Sequence, residues 1–141
     1  MILLDTNVLS EVMRRTPDRG VLAWLDAQPQ ERLYISAVTR AEIELGIALL
    51  PEGRRKEALR SAAADVFREF PGRCLAFDDV AAPVYAAIVA TRIRAGRPMS
   101  HQDAEIAAIA IGAGFVIATR NDADFSGIPG LTAVNPWCDA T

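Results

Sequence analysis

Met1-Ile2-Leu3-Leu4-Asp5-Thr6-Asn7 opens the chain with a short apolar run that ends abruptly in a carboxylate. Ile2–Leu4 is too short for a helix and reads as a buried strand. The same pattern returns late in the chain, where Phe115–Ala118 runs into Thr119-Arg120-Asn121-Asp122. Leu33–Ile35, Cys74–Phe77 and Leu131–Val134 read as further strands. Helical segments fill the intervals. One lies around Val8–Met13, before Pro17. Asp18 caps a second through Ala27, stopped by Pro29. Ser36 or Thr39 opens a third through Leu50, halted by Pro51. Residues 52–70 form a charged amphipathic helix, and Val80–Ala95 another, ending near Gly96 and Pro98. Ser100 opens the last, through Ala113, with Gly114 as its stop. Short apolar strands alternating with helices specify an α/β fold with a mostly parallel sheet of four to five strands, covered on both faces. Sites in such folds collect beyond the carboxyl ends of the strands. Asp5 and the run from Thr119 to Asp122 both occupy that position.

The chain has 141 residues, which fits a single domain over 1–141. Hydrophobic residues make up 51%, enough for a proper core. No basic segment leads into a long apolar one, and the run Ile106–Thr119 is short and broken by Gly112 and Gly114, so a cytoplasmic protein without a membrane span is expected. The two cysteines supply neither a disulfide framework nor a four-ligand zinc site, and Cys74 reads as core. His101 is the single histidine, which argues against zinc enzymes and His-dependent triads. A net charge of −3 is not that of a general nucleic-acid binder. Arginines cluster at Arg14, Arg15 and Arg19, at Arg54 and Arg55 beside the lone Lys56, and at Arg92, Arg94 and Arg97. Any one cluster is first of all a solvated surface.

Helical geometry separates ordinary carboxylates from unusual ones. At roughly 100° per residue, Val38, Leu45, Gly46 and Leu49 fall within about 60° of Glu42, which places Glu42 in an apolar stripe. Glu44 falls on the far side beside Arg40, as an i,i+4 ion pair. Asp103 shares its face with Ile106, Ala107 and Ala110, while Glu105 points away. A buried carboxylate needs a partner, and neither segment offers a lysine or a histidine facing it. A metal ion meets the need. Simpler roles exist for each residue alone: Asp5 as a helix cap, Asp103 in a capping box with Ser100, Glu42 at the rim of its stripe. Three such residues on elements that meet at one sheet edge carry the metal reading.

Four segments, in this order, resemble the motifs of PIN domains: Leu4-Asp5-Thr6-Asn7, Ala41-Glu42-Ile43-Glu44-Leu45-Gly46, Asp103-Ala104-Glu105-Ile106-Ala107-Ala108 and Ala118-Thr119-Arg120-Asn121. Pro136-Trp137 is similar to the tail of the FitB-like branch. The resemblance implies a three-layer α/β/α sandwich and the VapC/FitB-like ribonuclease toxins of type II toxin–antitoxin pairs. It implies Mg²⁺ or Mn²⁺ as cofactor, held by Asp5, Asp103 and Glu42, with Thr6 as a supporting hydroxyl. RNA is the implied substrate, a VapB-like antitoxin the implied partner and a homodimer the implied assembly, with DNA reached only through the antitoxin. An apolar groove among the early helices is a place for an antitoxin segment. The family's fourth acidic position falls on Asn121, which offers a carbonyl oxygen but no charge. Asp122 and Asp124 follow, and which of the three supplies the fourth group stays open.

Other Asp-centred α/β enzymes fit less well. A haloacid-dehalogenase-like phosphatase needs an Asp where Asn7 stands. A phosphoreceiver domain has a candidate in Asp78 but lacks a suitable lysine, and no Gly-rich nucleotide loop occurs. The remaining rival is a catalytically weak partner whose main role is in an antitoxin complex that represses its own operon.

Overall fold

The computed structural model describes residues 1–138. Five strands, β1 (Ile2–Leu4), β2 (Leu33–Ser36), β3 (Cys74–Leu75), β4 (Val116–Ala118) and β5 (Ala133–Val134), form one sheet in the order β3-β2-β1-β4-β5. Every pairing is parallel, so the sheet is more uniform than the sequence required. The chain winds outward from β1 through β2 to β3, then returns to the other side of β1 for β4 and β5. The reversal lies between β1 and β4, with Leu4 opposite Ala118 at their carboxyl ends. A crevice opens at such a point because the flanking connections leave in opposite directions.

Helices α1 (Thr6–Val12), α2 (Arg19–Asp26), α3 (Ala37–Ala48) and α4 (Arg54–Phe67) contribute to one layer. Their core residues include Val8, Leu9, Val21, Ile43, Ile47 and Ala63, packed with Leu4, Ile35 and Ala118 of the sheet. Helices α5 (Ala81–Arg94) and α6 (His101–Ala113) form the other layer, where Ile88, Ile106 and Ile109 pack with Leu3 and Ile117. Alternate strand residues therefore face alternate layers, as the pleat demands. A four-residue helix, α7 (Asp122–Phe125), follows β4 and inserts Phe125 into the second core. It was not foreseen in the sequence. Among the described residues no helix is long and apolar enough to cross a membrane.

Four local expectations change. Helix α1 begins at Thr6 because Asp5 caps it, its side chain accepting from the Thr6 N–H at 2.8 Å. Cys74 is exposed, since β3 is a two-residue edge strand. On α3 the buried stripe is Thr39, Ile43 and Ile47, whereas Leu45 and Leu49 are 60% and 77% exposed. Glu42 thus stands half-buried at the rim of the stripe. Lys56 is buried: its Nζ donates to the Ala48 carbonyl at 3.2 Å and meets Glu52 Oε1 at 2.7 Å, closing the C-terminal end of α3. The Arg40–Glu44 pair is present at 3.6 Å, on the surface.

Candidate active site

Asp5 is the first residue past β1 and is 3% exposed. Its Oδ1 accepts from the Thr6 N–H, and its Oδ2 accepts from Thr119 Oγ1 at 2.7 Å and Asn7 Nδ2 at 3.3 Å. Asn7 Oδ1 in turn accepts from the Arg120 N–H at 3.2 Å, and Thr119 Oγ1 accepts from the Asn121 N–H at 3.0 Å. The exits of β1 and β4 are therefore bolted together by short polar side chains, which fixes the Asp5 carboxylate in one orientation.

Thr6 reaches across to α3. Its Oγ1 donates to Glu42 Oε1 at 2.7 Å and lies 3.0 Å from Thr39 Oγ1. A hydroxyl has one proton. With that proton on the Glu42 bond, Thr39 must be the donor in its contact with Thr6. Two buried or half-buried hydroxyls in series thus aim one oxygen of Glu42 and leave Oε2 available. Asp103 comes from the opposite layer, in the first turn of α6, where Ser100 Oγ caps the helix by accepting from the Asp103 N–H at 3.1 Å. Helix α6 is buried on most of its circumference, with Ala104, Ala107, Ala108 and Ala110 fully enclosed, so its start is rigidly placed.

These side chains line one open cleft of about 500 Å³. Asp5, Thr6, Asn7 and Glu42 form its floor with Asp103; Asn121, Arg120 and Trp137 flank it on the β4 side, and Ser10, Glu11 and Arg14 on the α1 side. Asp122 and Asp124 stand apart from this lining. Asp122 Oδ1 accepts from Asn135 Nδ2 at 3.1 Å and holds the loop to the C-terminal tail. Asp124 acts on Asp103 only as a nearby like charge.

The electrostatics are those of carboxylates held together without a counter-charge. Burial pushes the Asp5 carboxyl up to about 6 from its ordinary 3.8, against the opposing hydrogen bonds from Thr119 and Thr6, with the charges of Asp103 and Glu42 adding to the rise. Burial likewise raises Asp103, with Asp124 contributing. Arg14, one of the two arginines lining the cleft, is engaged by Glu11 at 3.2 Å and 3.3 Å. Among the described residues no three His, Cys, Asp or Glu side chains are drawn tightly enough together to enclose a metal ion as they stand. The donor chemistry nevertheless fits a hard divalent cation, since every group is an oxygen.

Several contributors lie outside the residues singled out in the sequence. Glu11 is 4% exposed and also accepts from the Asp18 N–H at 3.0 Å. Thr119 is fully buried, and Asn7 links two loops. Asn135 ties the tail to β4, donating to the Arg120 carbonyl at 3.2 Å and accepting from the Trp137 N–H at 2.9 Å. Thr119 and Asn7 carried a local signal, each just beyond a strand and within a quoted motif, whereas Glu11 and Asn135 carried none.

A family model described as the PIN domain matches residues 2–131. The chain is 46% identical over 138 residues to the plasmid stability protein StbB of Pseudomonas syringae pv. tomato, covering 97% of this chain and 99% of that protein. It is 43% identical over 138 residues to VapC ribonuclease Y4jK of Sinorhizobium fredii, covering 97% and 98% respectively. It superimposes on the crystal structure of FitAcB from Neisseria gonorrhoeae with a TM-score of 0.89 and 40% identity, over 98% of this chain and 99% of that one.

Proposed function

The chain belongs to the PIN-domain family, among the relatives of VapC and FitB toxins, and we propose that it is a metal-dependent endoribonuclease, the toxin of a type II toxin–antitoxin pair. One observation supports this above the others. Asp5, Glu42 and Asp103, from three separate elements, share a single cleft at the reversal of the sheet, and burial raises two of them, Asp5 with the charges of Asp103 and Glu42 adding and Asp103 with that of Asp124. Carboxylates arranged at such energetic cost point to a positive ligand.

In this reading Asp5 and Asp103 hold Mg²⁺ or Mn²⁺, with Glu42 completing the set. When bound, the ion supplies a more acidic water and offsets charge on the phosphodiester. Glu42, aimed through Thr6, positions the attacking water and takes its proton at Oε2. Asn121 adds a neutral oxygen at the rim, while Asp122 and Asp124 serve the loop. Arg14 and Arg15 hold the RNA backbone, contacts that position a strand without reading its sequence. A VapB-like antitoxin restrains the enzyme and links the pair to operator DNA, and the chain works as a homodimer. Exposed Leu45, Leu49 and Ile93 are apolar surface available for such contacts.

Antitoxin-free protein is incubated with total bacterial RNA, with and without Mg²⁺, beside Asp5→Asn, and the cut ends are mapped. Discrete metal-dependent cuts with 5′-phosphates, absent in the variant, are expected. A 2′,3′-cyclic phosphate would overturn the mechanism. Folded protein that cleaves nothing in Mg²⁺ or Mn²⁺, yet still binds an antitoxin, would favour the repressor-partner reading, to which the uncharged Asn121 already lends weight.

A further inference from the structure

We propose that Trp137 and Arg120 form a stacking seat for one nucleobase of single-stranded RNA at the edge of the acidic cleft, so that the enzyme grips a base beside the phosphate it cuts. The proposal rests on the ribonuclease reading and adds the feature of the substrate that the cleft recognises.

The Arg120 guanidinium carbon lies 5.1 Å from the centre of the Trp137 ring, and both residues line the cleft that contains Asp5, Glu42 and Asp103. Arg120 is exposed, while Trp137 is half-buried against the core residues of the first layer. The pair is built rather than incidental. Asn135, itself 7% exposed, donates to the Arg120 carbonyl and to Asp122, and accepts from the Trp137 N–H. Asn7 accepts from the Arg120 N–H. The backbone on both sides of the pair is thereby held to the same loop that positions Asp5, and the ring pays little ordering entropy when a ligand arrives.

The chemistry of the seat favours a base over a phosphate. Unstacked bases settle on tryptophan and arginine planes, and the Arg120 guanidinium beside the Trp137 ring brings the two together. A phosphate would gain from the arginine alone, whereas a base gains from both planes. Bases in a duplex already have both faces occupied, so the seat selects single-stranded segments, loops and ends. Every base has a π face, so the seat tolerates sequence variation.

Trp24→Phe leaves Trp137 as the sole tryptophan, and Asp5→Asn prevents cleavage. This double variant is titrated with a labelled adenosine hexanucleotide and with the same backbone made abasic throughout. Label anisotropy reports binding and tryptophan emission reports stacking. The base-bearing strand is expected to quench Trp137 and to bind about 10- to 100-fold more tightly than the abasic one, the range of a single stacked base. Arg120→Ala and Trp137→Leu should shrink that ratio toward unity, and Trp137→Phe should keep most of it. Equal binding of the two strands without quenching would overturn the seat and leave the nuclease reading standing. Variants that lower thermal stability but keep the ratio would show that the pair only seals the core, which also overturns it. No binding of either strand, together with no cleavage of cellular RNA by the unsubstituted chain, would sink both readings.

Discussion

The Asp5 carboxylate is the group in which stability and the proposed function oppose each other. Below pH 3.8 it is neutral in the folded and the unfolded chain, and it costs nothing. As the pH rises through about 6, the folded chain must ionise it in a buried site, whereas the unfolded chain has already done so. Stability therefore falls across this window and stays lower above it. At about 1.4 kcal/mol per pH unit, the span from 3.8 to about 6 bounds the penalty near 3 kcal/mol. Asp5→Asn should remove this pH dependence, so that its stability relative to the parent rises by about 1 to 3 kcal/mol between pH 4 and pH 7.5, while cleavage is abolished. Thermal melts at the two pH values check this, and an equal shift at both would sink it. Thr6→Val tests the second carboxylate. It removes the donor to Glu42 Oε1, so turnover should drop at least about tenfold with a stability cost of about 1 kcal/mol. A turnover equal to that of the parent would remove Thr6 from the site. Glu42 was reachable from the sequence by a wheel argument that proved only half right, because the apolar neighbours Leu45 and Leu49 face solvent. A wheel identifies an apolar face but not what covers it. Glu11 escaped notice for the converse reason: its burial depends on Arg14 and Asp18 folding back over it, which no periodicity encodes.

Helix α6 shows how an element delivers a side chain to a site. Its two ends were legible because each uses a local rule: Ser100 accepts from the Asp103 N–H, and Gly114 closes the helix at φ 73°, in the left-handed region. Asp18 and Ser36 cap α2 and α3 by the same logic. The two ends of α6 should separate stability from activity. Ser100→Ala and Gly114→Ala should each cost about 1 kcal/mol. Only Ser100→Ala should also depress turnover, because the turn it caps carries Asp103, while Gly114 lies at the far end of a 13-residue helix. Urea unfolding and cleavage assays on both variants test the contrast, and parallel losses of activity would refute it. Elements without such local rules were poorly legible. Helix α7 is four residues long and exists because Phe125 is pulled into the core, and β3 has two residues and leaves Cys74 outside. Tertiary packing selects both, so neither their bounds nor their burial could be read from neighbouring residues.

At the scale of the molecule, the parallel order β3-β2-β1-β4-β5 places the acidic cleft at the reversal of the sheet, and the packing of α1, α3 and α4 sets a second cavity beside it. This groove, about 950 Å³, has an apolar floor that includes Met13, Ile43, Ile47 and Leu59, with Arg14, Arg15, Arg54 and Arg55 around it. Thr6, Ser10, Arg14 and Glu42 belong to both cavities. A segment seated in the groove would therefore press on the residues that aim Glu42, and an antitoxin segment bound there would compete with the proposed RNA cleavage for one piece of structure. The rim is basic and the floor apolar, which suits an amphipathic segment with acidic flanks. Ala58 lines the groove, is exposed, and takes no part in the cleft. Ala58→Glu would set a like charge against an acidic segment and fill part of its seat. It should weaken the complex with the antitoxin from the same operon at least about tenfold, a loss of about 1.4 kcal/mol. Cleavage by the free variant should match that of the parent, and cells expressing the pair should become sensitive to a toxin that its antitoxin no longer restrains. Calorimetry of the complex and cleavage by the free protein decide the matter. Unchanged affinity would place the antitoxin elsewhere on the surface. Reduced affinity accompanied by reduced cleavage would mean that α4 shapes the cleft itself, and that the two cavities act as one.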